Sequence, residues 1–156
     1  MQRKNVNRGY MTLYVWKNAI LLYKEVCCIF TLFPYKLKRV ATQEIASTDS
    51  VHRNIAEGYC RKSINEYLQF LNIAKASLGE TVSGIYAYYD TNQINKEDFE
   101  KLDKLAYLIE NQLMNLIKSL EKKGGDGSWN DCLMLMEKSG CYITSPPSTN
   151  PLIQFL

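Results

Sequence analysis

Between Asn54 and Ser77 the chain reads NIAEGYCRKSINEYLQFLNIAKAS, and few folds accommodate that stretch. Gly58 can take the left-handed conformation that stops a helix at little steric cost. Five residues later Ser63 and Glu66 form an S-x-x-E pair, the capping-box signature of a helix start. Tyr67, Leu68, Phe70, Leu71, Ala74 and Leu78 then follow as an apolar stripe at helical spacing. The stretch specifies a helical hairpin with both ends of its turn written in the sequence, and it carries no catalytic motif.

The rest of the chain supplies two more helices. Thr12 is placed to cap a helix running to about Phe33. Its apolar positions Leu13, Trp16, Ile20, Tyr23, Cys27 and Phe30 form a heptad-like seam, and Pro34 ends it. A second helix is expected from about Leu37 to Glu57, with Leu37, Val40, Ala41, Ile45, Thr48, Val51 and Ile55 inward. Its middle, Ala46 to Ser50, is small and polar, which permits close approach of a neighbour and lowers helix propensity. The third helix is expected over Ile64 to Tyr89. Gly79 and Gly84 inside it each cost about 1 kcal/mol, to be offset by close packing or a gentle bend. Asp90 to Gln93 reads as a turn, and Asn95 caps a fourth helix with Glu97, Asp98 and Glu100 in its first turn. The stripe Phe99, Leu102, Leu105, Ile109, Leu113, Leu116 and Leu120 follows, then Lys118, Lys122 and Lys123, and Gly124-Gly125 stops the helix.

A length of 156 residues with 46% apolar side chains suits one domain that buries its core without disulfides or metal. Four amphipathic helices with short turns predict an all-α fold, an antiparallel up-down-up-down four-helix bundle over residues 12–124. Residues 1–11 are expected to be a flexible basic N-terminus. Residues 125–156 read as a linker and partly ordered, irregular C-terminal tail. The tail's Pro-rich Thr144 to Pro151 cannot continue a helix, and its apolar end, Leu152 to Leu156, is either disordered or a short plug.

Composition excludes several chemistries. The five cysteines include no C-x-x-C pair and His52 is the single histidine, so neither a metal site nor a cofactor is expected. The basic start MQRKNVNR leads into no apolar h-region and no apolar run is long enough to cross a membrane, so reduced thiols in a cytoplasm are expected. No nucleophile elbow or Glu-x-x-His motif is present, and His52, on the polar face of helix two, has no partner constellation. The chain is therefore read as not an enzyme. Glu57 and Glu66 flank the turn, Glu66 as the cap partner and Glu57 as a pair for Arg61 or Arg53.

Charge is unevenly spread. Residues 1–62 hold eleven Lys and Arg against four Asp and Glu, whereas residues 63–156 hold eight against twelve. Lys36, Lys38 and Arg39 open the second helix, and Arg53, Arg61 and Lys62 bracket its end, roughly 30 Å away at 1.5 Å per residue. Tyr35 and Tyr59 accompany the two clusters and could stack on bases. These residues read either as a nucleic-acid surface, as a solvated rim, or as half of a complementary oligomer contact.

The pieces Leu13-Tyr14-Val15-Trp16-Lys17-Asn18-Ala19, Phe33-Pro34, Gln43, Asn54-Ile55-Ala56-Glu57-Gly58, Arg61-x-Ser63, Glu66, Phe70-Leu71-Asn72-Ile73-Ala74 and Ser77-Leu78 occur in an order that carries a resemblance. From about Thr12 to Glu121 the chain resembles the four-helix-bundle proteins encoded by intervening sequences of bacterial 23S rRNA genes. The resemblance implies a small cytoplasmic bacterial protein, a ring-shaped homopentamer and no enzymatic activity. It also implies kinship with the accessory variability determinant of diversity-generating retroelements, a basic bundle that binds nucleic acid and a reverse transcriptase. The chain departs from the family pattern at Asp49, His52 and Arg53, where small or apolar residues are usual, and at Gly79, usually Ala. Asp49 and Arg53 either disturb a helix-two contact with a neighbour or pair across it. The expected function is accordingly nucleic-acid binding, RNA or DNA, or a retroelement accessory role. The alternative is a scaffold that holds a protein partner.

Overall fold

The computed structural model describes residues 6–125. A short 3-10 helix, Val6–Thr12, leads into α1 (Tyr14–Phe30), α2 (Lys38–Tyr59), α3 (Ile64–Asp90) and α4 (Lys96–Gly125), with a 3-10 turn Tyr35–Leu37 before α2. Consecutive helices pack on each other and α4 closes on α1, while the diagonal α1 and α3 meet through side chains, Phe30 lying edge-on to Tyr88 at 5.1 Å. Short connections make each neighbour antiparallel. Between α1 and α4, Asn18 donates to Gln112 (3.0 Å) and Lys101 to Glu25 (2.5 Å), so the two helices run in opposite senses. The architecture is the expected all-α four-helix bundle. The tail expectations for residues 126–156 lie outside the described residues.

The core is built from 3-4 repeats. In α3 the buried positions are Tyr67, Leu71, Ala74, Leu78, Thr81 and Ile85, and in α4 Leu102, Ala106, Ile109, Leu113, Leu116, Ile117 and Leu120. Each fully buried Leu or Ile contributes about 1.5–3 kcal/mol over an exposed one. In α1 the expected seam holds at its ends, where Leu13 and Phe30 are buried, and is rotated between them. Val15, Ala19, Leu22, Val26 and Phe30 are buried, while Trp16, Ile20, Tyr23 and Cys27 sit at the margin. The reason is that α1 is apolar on two adjoining stripes, and the one with smaller side chains lets α2 and α4 approach. Trp16 is partly buried and its ring packs against Tyr10 at 5.3 Å, while Tyr23 sits against His52 at 5.4 Å.

Several terminal details differ from expectation. Thr12 does not cap α1: its Oγ1 donates to the Gly9 carbonyl (2.7 Å) within the 3-10 turn, and Leu13 holds the N-cap position without a side-chain bond. Before residue 12, Tyr10 packs edge-on against Trp16 (5.3 Å) and Tyr59 (6.2 Å), and residues 1–5 of the expected flexible N-terminus lie outside the described residues. Helix α1 stops at Phe30, three residues short of Phe33. Gly58 is not a left-handed helix stop. Helix α2 runs through it to Tyr59, and Cys60 closes the helix in an ordinary right-handed conformation, φ −83° and ψ −3°. Gly58 is buried where α3 crosses, and a methyl there would come 2.8 Å from both Phe70 Cβ and Tyr67 Cδ2. Its missing side chain, rather than its backbone freedom, is what the hairpin uses.

The markers at the starts of α3 and α4 are as the sequence reads, while α4 includes both Gly124 and Gly125, the pair expected to stop it. Ser63 and Glu66 form both halves of the capping box on α3. The Asp98 amide donates to Asn95 Oδ1 (2.8 Å) at the start of α4. The turn between α3 and α4 is closed by Asn92, whose φ of 57° is a conformation asparagine tolerates better than most residues.

Candidate nucleic-acid interface

The five signature residues around the α2–α3 turn all serve the hairpin. Asn54 donates to the Ser50 carbonyl (2.8 Å) and to Ser50 Oγ (2.9 Å), and Ser50 Oγ is bonded to Ser77 Oγ (2.9 Å) on α3. Glu57 is ion-paired with Arg61, Gly58 admits α3, and Ser63 with Glu66 starts it. The motif that marks this sequence is thus a clasp between two helices.

The six cations expected to carry binding are divided by the fold. Arg53 is ion-paired with Asp49 one turn back on α2, so those two departures satisfy each other along one helix. Arg61 pairs with Glu57 and lies over the Phe70 ring at 4.6 Å. Lys62 is exposed beside it. Lys36, Lys38 and Arg39 stand at the opposite end of α2, all exposed, and none has an ion pair among the described residues. No Asp or Glu occurs between Glu25 and Glu44, so this corner has no local acid to neutralise it. Next to the three cations Tyr35 is 88% exposed and Leu32 84% exposed. An aromatic ring and three cations within five residues is a surface suited to phosphates and bases.

The sequence reading missed two things. The antiparallel return of α4 brings Lys122 and Lys123 to the end of the bundle where Arg61 and Lys62 stand, because Gly124 lies against Ile64. Only the topology unites these residues, which are about sixty positions apart. The second omission is Glu44, which is 3% exposed in the α2–α3 seam. A methyl on Gly84 would collide with its Oε2, and its Oε1 has no hydrogen-bond partner among the described residues. Burial, with the neighbouring Glu80 charge, pushes its carboxyl up to about 8. Around it Ser47 and Thr48 turn their hydroxyls to the Glu44 carbonyl (3.0 and 2.8 Å) and meet Thr81 Oγ1 (3.1 and 3.2 Å). The small polar middle of α2 is a buried hydroxyl layer.

His52 is less exposed than expected. Its side chain is 15% exposed, bonded to Asp49 (3.0 Å) and set against the Tyr23 ring at 5.4 Å. Burial lowers its pKa, with Asp49 opposing. Among the described residues no three His, Cys, Asp or Glu side chains converge as metal ligands would, and no helix is long and apolar enough to cross a membrane.

Fold and surface together define a compact helical bundle with basic corners at both ends. The model of the 23S rRNA-intervening sequence protein family matches residues 11–115, well over half of the chain, and the chain belongs to that family. No curated protein matches it.

Proposed function

We propose that this chain is a non-enzymatic nucleic-acid-binding bundle that works as a homo-oligomer, with Lys36, Lys38 and Arg39 as its phosphate contacts. The observation that carries the reading is the corner itself: three exposed cations without ion pairs among the described residues, beside a tyrosine 88% exposed. Arg53 and Arg61 are assigned a structural role instead, because each already holds a carboxylate on its own helix. A ring of subunits, five in the family resemblance, would repeat the corner and multiply a weak contact by avidity. Exposed apolar side chains on α1, α3 and α4, among them Leu21, Ile73, Leu108 and Met114, are the material for such contacts. Structured RNA is the ligand favoured here, and a reverse transcriptase is a partner compatible with the same oligomer.

A scaffold that holds a protein is the second reading. It is favoured by the outer face of α4, where Tyr107 is 67% exposed near Met114.

Fluorescence anisotropy with labelled RNA and DNA at low salt tests the proposal. Binding is expected to fall at least tenfold when Lys36, Lys38 and Arg39 are all reversed to Glu. It should stay within about threefold when Arg53 and Arg61 are changed to Ala. No binding at low salt, or no loss on reversal, overturns the proposal and leaves the scaffold reading.

A further inference from the structure

Two concavities open at the end of the bundle where α1 stops. One, about 480 Å³, lies toward the α3–α4 turn and is lined by Glu25 and Asp98, with Lys101 already bonded to Glu25. Its carboxylates oppose a phosphate-bearing ligand. The other, about 460 Å³, lies between the end of α1 and the start of α2 and has no acidic residue in its lining. Phe30, Phe33 and Tyr35 form its aromatic side, Ala41 and Ile45 its apolar floor, and Lys38 its rim. The volume is in the range of small-ligand sites.

The polar atoms of this second concavity are constrained. Thr31 Oγ1 donates to the Cys27 carbonyl (2.7 Å) and Thr42 Oγ1 to the Lys38 carbonyl (2.8 Å). Each hydroxyl proton is spent on the helix, which leaves the oxygens as acceptors. The rim therefore offers acceptors for N–H groups and an ammonium for an anionic or carbonyl oxygen. Phe30 and Phe33 are stacked on each other at 4.5 Å and held by Tyr88, so that wall is fixed. Among the aromatic residues of the lining Tyr35 is the exposed one, at 88%, so its ring is accessible for stacking on a flat ring.

We propose that this concavity receives one unpaired nucleobase of a single-stranded nucleic acid whose flanking phosphates contact Lys36, Lys38 and Arg39. The inference rests on the nucleic-acid reading above and adds its substrate class. A flat heteroaromatic ring with N–H donors, attached to anionic groups on both sides, matches an apolar slot with acceptors and a cationic rim. A duplex presents its phosphates but keeps its bases stacked and paired, so it forfeits the slot.

The test uses the full chain and three labelled ligands of equal length: a single-stranded RNA, the same backbone with abasic sites, and a duplex. Two variants accompany it. Tyr35→Ala removes the exposed ring, and Thr42→Phe fills the slot from an exposed position. The expected result is base-bearing single strand bound about tenfold more tightly than the abasic strand, the scale of one base–aromatic stack. Both variants should lose that preference while keeping the wild-type affinity for the abasic strand. Equal affinity for base-bearing and abasic strands overturns the inference and leaves phosphate binding intact, as does a preference that persists in both variants. No binding to any of the three ligands overturns the nucleic-acid reading and the slot with it.

Discussion

Replacing Glu44 by Gln should flatten the pH dependence of stability on its alkaline side. The Glu44 carboxyl is 3% exposed, has one oxygen without a hydrogen-bond partner among the described residues, and lies near Glu80. Folded, it gives up its proton only at about 8, against 4.5 for a free side chain. Between those values the native chain holds a proton that the unfolded chain has released. The stabilisation tied to that proton is complete below pH 4.5 and is lost as pH rises to about 8. Each pH unit in that window removes roughly 1 kcal/mol, so the loss across it is on the order of several kcal/mol. The groups facing Glu44 from α3 are Glu80, which accepts from Gln43 (2.7 Å), and Tyr88, whose hydroxyl donates to the Val40 carbonyl (3.3 Å). His52 works in the opposite sense. Its pKa is lowered by burial, so its contribution is lost as pH falls below about 6.5. Urea unfolding of both proteins from pH 5 to 9 isolates Glu44 as the difference between them. That difference should grow to several kcal/mol in favour of Gln by pH 8, and parallel curves would refute a buried neutral carboxyl.

Substitutions at four other positions test the packing and capping account. Gly58→Ala should destabilise by about 2 kcal/mol, since the new methyl meets Phe70 and the Tyr67 backbone. Gly79→Ala, with nothing within 4 Å of the new methyl, should stabilise by about 0.5–1 kcal/mol, so the two unfolding shifts must differ in sign. Gly84→Ala should be costly in the native sequence and largely tolerated beside Glu44→Ala, a coupling of 1 kcal/mol or so. A double-mutant cycle giving additive values would show that Gly84 does not make room for the carboxyl. Ser63→Ala should cost about 1 kcal/mol and speed amide exchange in the first turn of α3, and unchanged exchange at Glu66 would count against the cap.

How much was legible in the sequence varies with the physics behind each feature. Caps and turns are local, so Ser63 with Glu66 and Asn95 with Asp98 could be read directly, and they define the hairpins and hence the bundle. The inward face of α1 could not, because Trp16, Ile20 and Tyr23 offer as apolar a stripe as Ala19, Leu22 and Val26. The choice between stripes is made by the neighbouring helices. Gly58 was legible as an unusual residue but assigned the wrong use, since a glycine at a helix end and one at a crossing look alike in sequence. Glu44 did carry a signal. It continues the 3-4 repeat of Ala41, Thr48, Val51, Ile55 and Gly58, and period outweighs polarity there. The cation clusters were legible as residues, but their pairing state was not. Asp49 and Glu57 engage Arg53 and Arg61 at helical spacing, which singles out Lys36, Lys38 and Arg39.

The central claim is that this last corner grips phosphate, and the salt dependence of RNA binding tests it most directly. Each phosphate contact on a single strand contributes about −0.7 to the slope of log affinity against log salt, so three give about −2 for every protomer engaged. Lys36→Ala, Lys38→Ala and Arg39→Ala should each make the slope shallower by about 0.7 per engaged protomer. Arg53→Ala should leave it unchanged. A slope near zero in the native chain, or one that survives the combined loss of Lys36, Lys38 and Arg39, would contradict the account.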